Sequence, residues 1–167
     1  AIGIGSSKSI KDQSILEFAE DQPEKAYQAF RTGDKKMGGK DYTIKQQKVK
    51  VDLYKDYYLN NQLINSIKSN NKSINILASI FASENELDNC ILLNNNKMVC
   101  EFINGNLFYV KDDKIYTPNL QSGCLNGVLR KNLINIIKST ELSLEEVNIS
   151  PFDLVAAEEL FMTNVIQ

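Results

Sequence analysis

The sequence contains no histidine and no tryptophan. Without an imidazole, Ser-His-Asp and Cys-His catalysis and most zinc sites are excluded in one step. Any acid–base chemistry must therefore run on Lys, Glu, Asp, Tyr or a cofactor. Cysteine is scarce and odd in number, and Cys90, Cys100 and Cys124 lack metal-ligand spacing. That usage suits a reducing cytosol. A dominant charge is missing too. The 19 Lys and Arg face 21 Asp and Glu, with a pI of about 5.3, so there is no electrostatic footprint for nucleic acid or a membrane surface. No apolar run approaches the roughly 20 residues needed to span a bilayer. The opening AIGIGSSKSIKDQ is too short and too polar for a secretory signal. Asparagine is missing from the first 59 residues, although 19 follow from Asn60 onward. The shift places a boundary near residues 45–60. A chain of 167 residues is long enough for one domain with a core, and fits one better than two.

What is present is organised around Leu87 to Arg130. Cys90 to Leu93 and Met98 to Ile103 read as strands separated by the turn 94–97. Asn104-Gly105 is the strongest hairpin signal, since both turn positions favour positive φ. Leu107 to Val110 and Ile115 to Thr117 continue the meander. Within these strands Glu101 is the one carboxylate. Either it is buried, and then needs a cation, a backbone donor or a ligand, or it faces solvent on a two-faced strand. Further on, Gly123 to Arg130 leads into a helix over 127–139 with Asn126 as its cap. Glycines at a helix start let backbone N–H groups approach an anion, most often phosphate, although ordinary capped helices share the pattern.

Around this stretch, residues 14–30 read as a helix broken at Pro23, and 31–40 as a basic turn that fails the P-loop pattern at Asp34 and Asp41. A strand is expected over 42–54 and another over 63–68. Ile74, Leu77, Ala78, Phe81 and Ala82 fall on one helical face. A strand over 144–149, a helix opened by Ser150-Pro151, and a final strand over 159–165 complete the chain. Lys68 ends the apolar 63–68 strand just before the core helix. There its amine would be partly desolvated and nucleophilic, although a solvated cation is the plainer reading of pattern alone.

The ordered series CILLNNNKMVCE, NGNLFYV, IYTPNLQSGCLNGVLRK and EEVNISPFDLVAAEELFMTNVI resembles the large domain of the class IV (branched-chain aminotransferase-like) pyridoxal-phosphate enzymes, over roughly residues 49–167. That family includes branched-chain and D-amino-acid aminotransferases and 4-amino-4-deoxychorismate lyase. The resemblance implies an α+β chain with the fold-type IV large domain over 49–167, truncated at its C-terminal end. Residues 1–48 would then be a remnant of, or substitute for, an incomplete small domain. It further implies pyridoxal 5′-phosphate as cofactor, an amino-acid or chorismate-derived substrate, and a cytoplasmic homodimer.

The resemblance also assigns residues. Lys68-Ser69-Asn70-Asn71 matches the Lys-x-x-Asn motif whose lysine carries the cofactor covalently and acts in catalysis; Lys72 lacks that motif. Glu101 matches the glutamate at the pyridine nitrogen, where a carboxylate keeps the ring protonated as an electron sink. Gly127, Val128 and Leu129 match the phosphate-binding helix start, and Thr163 and Asn164 a second phosphate-side segment. The family's phosphate-pairing arginine has no matching position, since Arg31, the one arginine upstream, lies in an unrelated context. Transamination and the lyase reaction share their first steps and diverge through substrate-framing residues. Two further readings use the same residues: a non-catalytic scaffold or oligomerisation domain, and a phosphate or nucleotide binder working from the Gly127 helix start alone.

Overall fold

The structure, a computed structural model, describes residues 2–3 and 49–164. The expected helix over 14–30, the turn over 31–40 and the start of the 42–54 strand lie outside the described residues. Within them are two sheets. One has three strands, in the order β2 (Val51–Leu59), β3 (Asn89–Asn94) and β4 (Val99–Phe102), and the other five, in the order β1 (Ile2–Gly3), β8 (Glu159–Asn164), β5 (Asn106–Lys111), β6 (Lys114–Pro118) and β7 (Ser143–Val147).

In the smaller sheet, β2 (Val51–Leu59) runs parallel to β3 (Asn89–Asn94), and β3 pairs antiparallel with β4 (Val99–Phe102). A parallel pair needs a crossover, and α1 (Ser73–Glu84) supplies it. Ala78 and Ala82 of this helix pack on Tyr54, Cys90 and Leu92. Leu77, expected to face inward, is 40% exposed, whereas Asn75 is buried. Asn75 can sit there because its Nδ2 donates to the Ile103 carbonyl at 2.7 Å, which offsets the cost of burying an amide.

In the larger sheet, β5 (Asn106–Lys111) and β6 (Lys114–Pro118) form a hairpin. β8 (Glu159–Asn164) lies antiparallel to β5, and β7 (Ser143–Val147) parallel to β6. The β6–β7 crossover contains α2 (Val128–Lys138), and the short α3 (Pro151–Val155) precedes β8. β1 (Ile2–Gly3) adds a parallel pairing beside β8, with Ile2 opposite Thr163. Ser150 and Asp153 close the expected cap of α3 reciprocally. A buried cluster of Ile91, Val99, Phe102, Leu107, Tyr109 and Met162 joins the two sheets.

Three sequence expectations are corrected. First, Asn104-Gly105 does not turn a hairpin within one sheet. The chain crosses there from β4 in one sheet to β5 in the other, linked by an isolated Phe102–Gly105 bridge. Positive φ falls instead at Asp112 (50°) and Asp113 (58°), in the β5–β6 turn. The crossing is held by Asn89, whose Nδ2 donates to Asn104 Oδ1 at 2.8 Å and whose Oδ1 accepts the Ile103 N–H at 3.1 Å. Gly105 serves close approach: a Cβ would lie 2.7 Å from Met162 Sδ and 2.8 Å from the Thr163 carbonyl oxygen. Second, the 63–68 stretch is a 3-10 turn (Leu63–Ser66), not a strand. Leu63, Ile64 and Ile67 are all exposed, so its apolar letters do not mark core. Third, α2 is capped by Gly127 with no side-chain hydrogen bond, rather than by Asn126.

Candidate active site

Elements of both sheets meet around a cavity of about 670 Å³. The N-terminal turn of α1 brings Lys72 and Asn75, β4 brings Glu101, and the crossing contributes residues 103–105. Asn106 opens β5, the loop 125–127 leads into α2, and Thr163 and Asn164 end β8. Lys68, Glu101, Gly127, Val128, Leu129, Thr163 and Asn164, which the sequence scatters over nearly a hundred positions, all line this one space.

Glu101 is 5% exposed, which decides between its two sequence readings in favour of burial. One oxygen accepts the Leu125 N–H at 2.7 Å. The other lies 3.7 Å from the Lys72 ammonium. Burial pushes its carboxyl above the ordinary carboxylate range, while the Leu125 N–H and Lys72 pull it back. Lys68 stands at the cavity edge and is exposed, rather than desolvated as expected from a strand terminus. The amine beside the carboxylate is thus Lys72, while Lys68 reaches the space from its rim.

The far side is built for an anion. α2 begins without a side-chain cap, leaving its first N–H groups and the positive end of its dipole for another partner. Gly127 has no room for a side chain, because a Cβ would collide with Asn106 Oδ1. The Thr163 side chain is 2% exposed, and its hydroxyl has no hydrogen-bond partner among the described residues. A buried unpaired hydroxyl is costly, and one that lines a cavity is poised for a ligand oxygen. The cavity therefore pairs a buried carboxylate with an unsatisfied anion-binding pole. That donor set fits a cofactor carrying a ring nitrogen and a phosphate.

The chain matches the class IV aminotransferase family over residues 39–167 and belongs to that family. It is 40% identical over 88 residues to a Thermotoga maritima protein named "Probable branched-chain-amino-acid aminotransferase", covering 51% of this chain and 32% of the relative. It is 32% identical over 97 residues to the aminodeoxychorismate lyase of Vibrio harveyi, covering 58% and 36%. The fold is similar to the branched-chain amino acid aminotransferase of Thermobaculum terrenum in its PLP form, with TM-score 0.68, 25% identity, and coverage of 72% and 40%. The chain thus spans about a third of the length of those two sequence relatives.

Three groups at the site were not singled out from sequence. Asn75 and Asn106 stood out in the sequence only as two of its 19 asparagines, and the Leu125 N–H carries no side-chain signature. Lys72 and Asn75 did have a signal, since they stand three residues apart, one helical turn, and so share a face.

Proposed function

We propose that this chain forms the cofactor-binding part of a pyridoxal-phosphate-dependent, class IV aminotransferase-like enzyme. Its substrate would be an amino acid, for transamination, or a chorismate-derived amine, for a lyase reaction. One observation carries the reading: a single cavity joins the Lys68 amine, the buried Glu101 carboxylate, the uncapped start of α2 and the unpaired Thr163 hydroxyl. Pyridoxal phosphate, when bound, supplies a conjugated ring that accepts electrons from the substrate α-carbon.

The chain's own residues do the rest. Glu101 holds a ring nitrogen in its protonated form, its charge supported by Lys72 and the Leu125 N–H. Backbone N–H groups of Val128 and Leu129, the α2 dipole and the Thr163 hydroxyl bind phosphate, with Gly127 leaving room and Asn164 beside them. Lys68 anchors the cofactor and, when free, takes and returns the substrate α-proton. Its exposed position gives the amine access to both. We assign residues 49–167 to this part and 1–48 to a smaller N-terminal part. Exposed Ile64, Ile67, Ile76 and Ile80 support cover by a second copy in a homodimer, which sedimentation would test. The buried free cysteines fit a cytoplasmic setting.

The test is borohydride trapping of the purified chain with pyridoxal phosphate, followed by peptide mass spectrometry. Label at Lys68, abolished by Lys68→Ala, is the expected outcome. Label at Lys72, or scattered over surface lysines, overturns the assignment. Assays for amino transfer to a 2-oxo acid and for elimination then separate the two activities.

A further inference from the structure

Asn106 occupies an unusual place in this site. It is 5% exposed and stands opposite Thr163 in the β5–β8 pairing. Its Nδ2 donates to the Leu125 carbonyl at 2.7 Å, and its Oδ1 packs so close to Gly127 that no side chain fits between them. Leu125 in turn donates its N–H to Glu101 at 2.7 Å. One residue is therefore gripped at its N–H and its carbonyl by side chains from opposite sheets. The next N–H, that of Asn126, reaches the Ser66 carbonyl at 2.9 Å, two residues before Lys68.

We propose that Asn106 is the positioning residue that sets both poles of the site at once, through the loop 125–127. By fixing the Leu125 carbonyl it aims the N–H that Glu101 accepts. By packing on Gly127 it sets where α2 begins, and so where its N–H groups point. The donor is what matters. An aspartate has nearly the same shape, but it would turn an acceptor toward the Leu125 carbonyl and add a negative charge beside the anion pole. A residue that merely filled space would tolerate that change far better.

This inference rests on the pyridoxal-phosphate reading for its functional half only, and the experiment separates the two. In the cofactor-free chain, amide hydrogen exchange is measured for Asn106→Ala and Asn106→Asp. Both are expected to speed exchange at Leu125 by about tenfold or more, as for loss of one buried hydrogen bond, and to leave Leu92 in β3 unchanged. Binding of pyridoxal phosphate is then compared with that of pyridoxal. The affinity ratio should fall about tenfold or more, and further in Asn106→Asp than in Asn106→Ala. Unchanged exchange at Leu125 in the Asp variant overturns the proposal, as does equal weakening of both compounds. If the wild-type chain binds neither compound, the proposed function fails, and the exchange at Leu125 still decides the role of Asn106.

Discussion

The carboxyl of Glu101 is pulled two ways: burial favours its neutral form, while the Leu125 N–H and the Lys72 ammonium favour the charged one. Burial prevails, so its folded-state pKa lies above its unfolded value. Folding then favours the protonated carboxyl, and this contribution, complete in acid, is lost as pH rises through the raised pKa. Glu101→Gln, neutral throughout, should gain thermal stability relative to the parent as pH climbs above the ordinary carboxylate range. A melting-temperature difference that does not change with pH there would refute the raised carboxyl of Glu101. Thr163 gives a second contrast at this scale. Replacing its unpaired hydroxyl with the methyl of valine should stabilise the cofactor-free chain by about 1 kcal/mol. The same Thr163→Val change should weaken pyridoxal phosphate binding, so denaturation and binding would move in opposite directions, as they do where a site stores cost for its ligand.

Arg130 shows how α2 is tied to the larger sheet. It is 2% exposed, and its Nη2 donates to the Pro118 carbonyl at 2.8 Å and to Glu146 at 2.9 Å. These contacts join the helix to the end of β6 and to β7. Arg130→Ala should cost about 3 kcal/mol in urea denaturation, through lost packing and a stranded carbonyl; a near-neutral change would mean that the helix needs no such tie. The crossing between the sheets is equally exacting. Gly105→Ala places a methyl against Met162 and the Thr163 backbone and should cost about 2 kcal/mol. It should also disturb the cavity edge. Three of the 19 asparagines find their reason here. Asn75, Asn89 and Asn106 each satisfy backbone or side-chain groups where strands change sheet or a loop approaches β5. A sequence shows such a residue plainly, but not the acceptor it meets across 15 to 28 positions.

For the whole molecule, local elements were legible because each has its own periodicity or cap. α1, the β5–β6 hairpin and the Ser150 cap of α3 need no knowledge of the rest. The division into two sheets was not legible, since strand pairing depends on partners far along the chain. Apolar letters in 63–68 misled for the same reason: burial belongs to the assembled fold, not the segment. The residues that line the cavity were legible as an ordered set of motifs, whereas the loop between its two sides was not. Global packing also makes a chemical prediction. Cys90, Cys100 and Cys124 are buried and free, and burial raises the pKa of all three thiols. Thiolate reagents should therefore label them at the rate at which the protein opens. Fast labelling of the native chain would contradict that packing.

Glu101 belongs to one sheet, and Asn106 and Thr163 to the other. Anything seated between them acts as a rivet through two plates. Neither sheet grips it alone, so the plates cannot part while it is in place. Occupancy should then slow unfolding itself, beyond the mass-action gain of any bound ligand.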